Sequence, residues 1–549
     1  QVPADSRYLF QHLRMPVVEP GNSQELKDWI DLSLKLSRAA GLYIGYIVTV
    51  AQADGGGTVQ CRPNQFPAVN TRNRLTVDTS KIDLDKVLLP PRTWQHELQI
   101  PQRFATTLKA ARDLGINRIL ASDSQLATRN SQLGFITTGM ATPYLLHLLH
   151  EVGLEGAFPI LRMGMSYPVD TDLIAQFAAL CRTMIVIEER RGFLEMNIRD
   201  EVFRLLPQAQ AADIASRLYG KAFPQANGQK LDGIPDNRGL NYSVLAMRLI
   251  PLLQQMDQLP GDMRNGRLSS EIQRLRHASR PKLTVVDHIV PRTPTFCPGC
   301  PHRDSAATLL ELRQNLADPK YMQAHHGRGA VDLVAHGDTG CYTMLMFPPT
   351  EQLMHNYSGM GLGGGTGSGI DPFVTNKQIV FMGDGTFFHS GVIGISNSIK
   401  AAQDITYIIL ENGTTAMTGH QEHAGTAEDL LGNRHHIQDI EKVVRGIAGD
   451  APVTLARLSP ADRARYRAVL EETILSDGVK IIIADKECGI TYHRARSREE
   501  RQVIKDKGYL PRKTHMNVTP EVCENCLECT KQTACPGLTT LHTDYGPKI

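Results

Sequence analysis

Nowhere in the 549 residues does an apolar run approach the length a bilayer-spanning helix needs, about 20 residues. A membrane partner is not implied. Charge of one sign is also lacking: 59 Lys and Arg stand against 57 Asp and Glu, for a formal +2, which leaves no strong field for nucleic acid. There is no signal-peptide pattern, no internal repeat at solenoid periods and no low-complexity tract. Without a leader pattern, the ten cysteines do not read as the disulfide framework of a secreted protein. A reducing cytoplasm is the expected setting.

What is present is a long chain, 41% apolar, with room for three or four cores at a soft prior of roughly 150 residues each. It opens on Gln1 and enters a helix-like stretch, SQELKDWIDLSLKLSRAA, then a strand-like GLYIGYIVTV. That pair reads as the end of a domain whose start is missing, and both chain ends read as cut. From Asn117 short β-branched runs alternate with helical stretches (GFITTG, ATPYLLHLLHEVG, FPILRMG, TDLIAQFAALC, TMIVIEER), the order of a parallel sheet with crossover helices. Residues 207–294 are richer in Gly, Pro, Gln and Arg and read as a connecting arm. A second α/β pattern spans 295–488, with DLVAH, QIVFMGDG, DITYIILENG and VKIIIADK as its strands. Residues 489–515 turn polar and basic and read as a solvated linker, with a ferredoxin-docking surface as the alternative.

In the second pattern each chemical motif falls just after a strand, where open parallel sheets place their ligands. GDGTFFHSG begins at Gly383, and 25 residues separate Gly385 from the pair Glu411-Asn412. Two neighbouring strand ends are thereby expected to bracket one divalent ion. Asp384 offers a carboxylate, Asn412 a side-chain oxygen and Thr414 a main-chain carbonyl, hard donors suited to Mg²⁺ holding a diphosphate. Gly383, Gly385 and Thr386 keep the backbone near phosphate oxygens at a helix start. A lone strand-Gly-Asp-Gly is also a common plain turn; its distance from Asn412 is what makes it specific. The spacing resembles the thiamine diphosphate fingerprint, with Glu411 a departure where many such enzymes have Asn. The run YSGMGLGGGTGSG reads as a linker by composition. Its place between two sheet strands favours a tight cofactor-facing turn, with Gly359, Gly361 and Gly363 approaching the cofactor.

Four cysteines flank this motif: Cys297 and Cys300 in CPGC, Cys341 in GDTGCY and Cys488 in KECG. Their placement suggests an iron-sulfur cluster beside the diphosphate, although C-x-x-C alone also serves zinc and redox dithiols. Cys523, Cys526, Cys529 and Cys535 follow in CENCLECTKQTACP. C-x2-C-x2-C followed by Cys-Pro is a recognised cluster-binding run, here with five rather than three residues before the last cysteine. Cys61 and Cys181 are left over as free thiols. His302 follows CPGCP and His420 lies in MTGHQ; each is either a satisfied structural histidine or a donor or acid at the site. His389 ranks below them.

Taken together, CPGCPHR, GDTGCY, GDGTFFHSG, ENGTTAMTGHQ and the terminal cysteine run resemble the 2-oxoacid:ferredoxin oxidoreductases, closest to the large subunits of the indolepyruvate branch. MGMSYPVDTDLIAQF and VIEE fit the same resemblance. It implies an α/β multidomain chain of transketolase-like thiamine diphosphate-binding domains: a pyrimidine-domain remnant and linker over 1–100, a transketolase C-terminal-like domain over 101–206, and a diphosphate-binding domain over 295–488. A small ferredoxin-like iron-sulfur module would occupy 516–549. Carried over residue by residue, a proximal 4Fe-4S cluster takes Cys297, Cys300, Cys341 and Cys488, and a terminal one takes Cys523, Cys526 and Cys529, with Cys535 in it or shared with a further cluster. The implied reaction is oxidative decarboxylation of a 2-oxo acid, by family habit an aryl pyruvate, to acyl-CoA, with electrons leaving to ferredoxin. The glutamate that activates thiamine is not found before Asn117, so it is expected upstream or on another subunit, and a smaller partner subunit or fused domain and an oligomer are implied. Two other readings compete: a non-redox thiamine lyase or decarboxylase, and an electron-transfer scaffold whose thiamine fold is a relic.

Overall fold

A computed structural model describes the chain apart from residues 1–4, 64–67, 71, 77, 79, 81–89, 91, 123–130, 225–230, 257–258, 260–265, 279–293, 513–517, 520–521, 527–528, 530–537, 539–540, 545 and 549. Residues 1–282 form one compact unit and 283–549 another. No helix of the described residues is long and apolar enough to cross a membrane.

In the first unit, β1 (Val17–Val18) pairs parallel with β2 (Gly45–Tyr46) and antiparallel with β6 (Met165–Tyr167). The main sheet holds β3 (Asn117–Leu120), β4 (Ser131–Thr137), β5 (Ile160–Met163), β7 (Cys181–Ile187) and β8 (Leu218–Tyr219), in the order β3-β5-β4-β7-β8. All neighbours run parallel except β3, an antiparallel edge strand, a common addition to a mainly parallel sheet. Side chains alternate between faces at period two: Leu133 and Phe135 join one core, Ile136 the other.

The segment read as a connecting arm is not one. Leu245, Leu249 and Leu253 of the helix Tyr242–Gln254, with Leu268, Ile272 and Leu275 of the helix Leu268–Ala278, sit in the same core as Phe135 and Leu145. Helical spacing of leucines outweighs the polar composition of the loops between them. β8 even extends the sheet.

The second unit carries a fully parallel sheet of β9 (Leu333–Gly337), β10 (Asn356–Tyr357), β11 (Lys377–Gly383), β12 (Ile405–Glu411), β13 (Val453–Leu458) and β14 (Val479–Asp485), ordered β10-β9-β11-β12-β14-β13. The central strands are largely apolar because both faces are covered. Ile379, Phe381, Ile408, Leu410 and Ile482 meet the helices Pro301–Ala317 and Arg463–Leu475 on one side. Val380, Met382, Ile409, Ile481 and Ile483 meet Ile395, Ile440 and Val444 on the other.

Two local expectations are revised here. The residues from Gly489 to Lys507 form one helix with no buried residue, so this part of the expected linker is ordered structure with a solvated surface. The glycine run is a turn only as far as Leu362, and Gly363–Ile370 is helical. Glycine is a poor helix former, but this helix packs so closely on its neighbour that a Cβ at Gly394 would lie 3.2 Å from the Gly364 Cα.

Candidate functional site

The sheet order explains why motifs scattered over 150 residues of sequence converge. Reading across β9, β11, β12 and β14, the carboxyl ends release Asp338, Asp384, Asn412 and, three residues beyond Asp485, Cys488. Register fixes the pairing: Gly383 lies beside Leu410, and Glu411 beside Asp485.

Asp384 is buried and held by main-chain donors. Its Oδ2 accepts N–H from Asn412 at 3.0 Å and from Gly413 at 2.7 Å, while Oδ1, among the described residues, accepts only the Gly385 N–H at 2.8 Å. The Asn412 amide is held in turn: Thr414 N–H donates to its Oδ1 at 3.2 Å, and its Nδ2 lies 3.1 Å from His302 Nε2. Asp384, Gly383, Gly385, Thr386, Asn412, Thr414, His302, Cys341 and Met417 are among the residues lining one cleft with about 310 Å³ of empty space. A Cβ at Gly385 would sit 2.3 Å from Thr415 Oγ1, so glycine is what lets Thr415 pack against the turn. Among the described residues, no three His, Cys, Asp or Glu side chains are gathered as a ready metal site. The oxygen set expected for Mg²⁺ contains a single carboxylate, and Asp384 Oδ1, with one neighbour donating to it, retains acceptor capacity for such an ion.

His302, the second residue of its helix, is buried, and burial pushes its pKa down to about 4 despite the nearby Asp384 carboxylate. The imidazole is neutral at pH 7 and accepts from the Asn412 amide, a role as holder rather than acid. His420 does not line the cleft. It stands at φ 65° in a hairpin loop closed by Thr415 and Gln421, with Nδ1 3.4 Å from Thr491 Oγ1. His389 lies 2.9 Å from Ser390 Oγ.

Gly361 and Gly363 are close to the site, but their N–H groups go to Asp338 Oδ2, at 3.1 and 3.3 Å, rather than standing free for phosphate. No contact of Gly359 with the cleft is seen. Asp338 escaped the sequence reading. It is fully buried, takes the Tyr342 hydroxyl on Oδ1, and through Tyr342, 3.0 Å from Thr386 Oγ1, braces the GDG turn. Its signal was there to be read: HGDTG at the end of β9 has the same strand-Gly-Asp spelling as MGDGT at the end of β11.

Among the described residues the four expected proximal thiols are not gathered as a ready metal site, although the other three lie near enough to Cys341 to oppose its ionisation. Burial first, then the neighbouring Cys297 and Cys488, pushes the Cys300 thiol up to about 11. Burial, then Cys300, Cys488 and Cys297, pushes Cys341 up to about 12. The Cys297–Cys300 turn is closed by a 3.1 Å hydrogen bond, and the Cys488 N–H donates to the Asn412 carbonyl at 3.0 Å. The two cysteine loops touch at the backbone, since a Cβ on Gly489 would lie 2.7 Å from the Gly299 carbonyl oxygen. Lys486 donates to Asp304 at 2.7 Å, tying the same two elements. Of the terminal run, Cys526 and Cys529 are exposed and Cys523 half-buried; Cys535 lies outside the described residues.

Residues 338–484 match the family of the thiamine pyrophosphate enzyme, C-terminal TPP-binding domain, and residues 124–279 match the indolepyruvate oxidoreductase domain. The second match also spans most of the segment first read as an arm. Similar proteins include the indolepyruvate oxidoreductase subunit IorA of Methanothermobacter thermautotrophicus, 26% identical over 98% of this chain and 74% of that protein. Those of Archaeoglobus fulgidus (26%, 97% and 73%) and Pyrococcus horikoshii (22%, 97% and 74%) are also similar. Among solved structures, a 2-oxoglutarate:ferredoxin oxidoreductase from Magnetococcus marinus is 14% identical over 45% of this chain and 90% of that one, at TM-score 0.30. A thiamin diphosphate-dependent enzyme from Mycobacterium smegmatis is 14% identical over 67% and 65%, at TM-score 0.25. Likeness at that level carries no weight for the fold.

The parallel sheet, the Asp384–Asn412 pair at its edge and the matched domains define a thiamine diphosphate-dependent enzyme of the 2-oxoacid:ferredoxin oxidoreductase class. Both domain matches and the near full-length similarities point to one branch of that class. Over nearly its whole length the chain is similar to the indolepyruvate oxidoreductase subunits IorA.

Proposed function

We propose that the chain oxidatively decarboxylates a 2-oxo acid, an aryl pyruvate such as indolepyruvate, to the acyl-CoA and CO2, and sends the electrons through 4Fe-4S clusters to a ferredoxin-like acceptor. The observation that supports this reading is the meeting of Asp384 and Asn412 at neighbouring strand ends, where the Asn412 and Gly413 N–H groups hold the Asp384 carboxylate. Asp384, Asn412 and Thr414 would hold Mg²⁺, with Gly383, Gly385 and Thr386 facing the diphosphate. Thiamine diphosphate supplies the carbanion chemistry that breaks the bond between C1 and C2 of the 2-oxo acid. The chain's own part would be to hold that cofactor in a cleft lined also by Met360, Ala416 and Met417, and to set soft thiolates next to it as cluster ligands. Neutral His302 keeps the Asn412 oxygen turned away from itself. Cys297, Cys300, Cys341 and Cys488 would take the proximal cluster, and Cys523, Cys526, Cys529 and Cys535 the terminal one. A smaller subunit or fused domain would complete an oligomeric, cytoplasmic enzyme and bring the activating glutamate.

Iron and acid-labile sulfide on anaerobically purified chain test the electron path first. About eight irons per chain, two cubane clusters, support it; about four would remove the proximal cluster. None would leave a non-redox lyase as the better reading. Reduction of a viologen dye that depends on aryl pyruvate, CoA and thiamine diphosphate in the complete assembly then tests the reaction, and activity with aliphatic 2-oxo acids alone would overturn the substrate class.

A further inference from the structure

One buried side chain beside the cofactor cleft has no part in the reading above. The His423 side chain is 7% exposed and stacks on Phe388, ring centroids 5.3 Å apart and planes 19° from parallel. The Gly425 N–H donates to its Nδ1 at 3.1 Å. A ring nitrogen that accepts carries no proton, so the hydrogen sits on Nε2. That position is enforced by close approach: a Cβ at Gly425 would lie 2.7 Å from the Phe388 ring and 3.1 Å from His423. Among the described residues Nε2 has no hydrogen-bond partner, yet it lies 3.4 Å from Asp384 Oδ2. A buried N–H left without an acceptor is rare and calls for an explanation.

We propose that His423 is a positioning residue of the cofactor site, its Nε2–H being the donor that fixes the Asp384 carboxylate when that group is drawn onto a divalent cation. This rests on Asp384 being the cation's carboxylate. The Asn412 and Gly413 N–H groups already restrain Oδ2 from one turn, and His423 adds a third donor from a separate loop. Oδ2 is thereby kept for the protein and Oδ1 for the ion. Outer-shell partners of this kind set ligand orientation, and losing one typically weakens metal binding about 10–100-fold.

The test uses the full chain, with Mn²⁺ as the probe cation and thiamine diphosphate present, binding being followed by electron paramagnetic resonance. His423→Leu is expected to weaken Mn²⁺ about 10–100-fold. His423→Gln, which loses the ring stack but keeps an N–H donor, is expected to recover most of that loss, and Gly425→Ala to move in the direction of His423→Leu. Equal losses in the Leu and Gln variants would assign the effect to the stack and overturn the proposal, as would no loss in His423→Leu. A wild-type chain that binds no Mn²⁺ with thiamine diphosphate would sink the cofactor reading itself; binding unaffected by His423→Leu sinks this proposal alone.

Discussion

Asp384→Asn removes one negative oxygen and little else, which makes it the sharpest probe of the cleft. The wild-type carboxylate accepts three main-chain N–H groups, two on Oδ2 and one on Oδ1. An amide offers one oxygen, and placing it at the Oδ2 position keeps the Asn412 and Gly413 bonds. Its NH2 then meets the Gly385 N–H, donor against donor. One orphaned buried donor costs about 1–3 kcal/mol. For a unit of this size, 1 kcal/mol corresponds to a shift of about 2–4 °C in Tm, so the metal-free chain is expected to melt about 2–12 °C lower. The effect on the loaded site is larger in kind, because the cation loses the only carboxylate of its donor set and faces an NH2 instead. Affinity for thiamine diphosphate with Mg²⁺, measured by isothermal titration calorimetry, is expected to fall at least about 100-fold, the upper end of what losing even an outer-shell partner costs. A variant that melts within a degree of wild type, or binds the cofactor within a factor of three or so of it, would refute the assignment, since a tenfold change is only about 1.4 kcal/mol.

Other perturbations test separate parts of the structure. Cys300→Ser and Cys341→Ser should each lower anaerobic iron from about eight to about four per chain, whereas Cys181→Ser, a buried thiol remote from the motifs in sequence, should leave it unchanged; unchanged iron in the first two would exclude a proximal cluster. Gly361→Ala places a Cβ at φ 85° and 1.9 Å from Ser390 Oγ, so it should destabilise by at least about 1–2 kcal/mol from backbone handedness alone, read as a lower Tm. In the first unit, Arg7 pairs with the fully buried Glu188 at 2.9 Å and with Asp5 at 2.7 Å; Arg7→Ala should cost about 3–5 kcal/mol in urea unfolding because a buried carboxylate loses its partner. Burial holds the Glu188 carboxyl above its ordinary range, and Arg7 opposes that shift. The Glu188 term therefore favours folding most below the unfolded carboxylate pKa and is lost as pH rises toward the folded one. Arg7→Ala should steepen that loss, and a pH-independent stability difference would contradict it.

How much of this was legible in the chain follows from what each signal depends on. The strands of the second unit were readable because strands covered on both faces are largely apolar runs, and the placing of Asp384 and Asn412 at neighbouring strand ends was readable because each follows such a run directly. The helices Tyr242–Gln254 and Leu268–Ala278 were missed as core because glycine- and proline-rich loops around them dilute the composition, although Leu245, Leu249 and Leu253 keep the i, i+4 spacing of a buried face. The glycine run was taken for a cofactor loop because composition cannot tell a flexible turn from a helix that needs small residues for close packing. His302 and His420 look alike in sequence. Only the fold buries one against Asn412 and turns the other toward Thr491.

Asp338 and Asp384 show why spelling alone does not settle a metal ligand. Both follow a strand and a glycine, both are buried, and both accept two N–H groups on Oδ2 from a following loop. They differ at Oδ1. Tyr342 closes that oxygen on Asp338 with a hydroxyl that also contacts Thr386, and burial, opposed by the Tyr342 hydroxyl and the Gly363 and Gly361 N–H groups, leaves its carboxyl above the ordinary range. A carboxyl in that state is a brace. On Asp384, Oδ1 has only the adjacent Gly385 N–H, and the residue lines the open cleft. One device, a carboxylate caught by main-chain amides, therefore occurs twice: where a tyrosine caps the free oxygen it locks the glycine turn, and where no tyrosine caps it the oxygen keeps the acceptor capacity that the proposed cation would use.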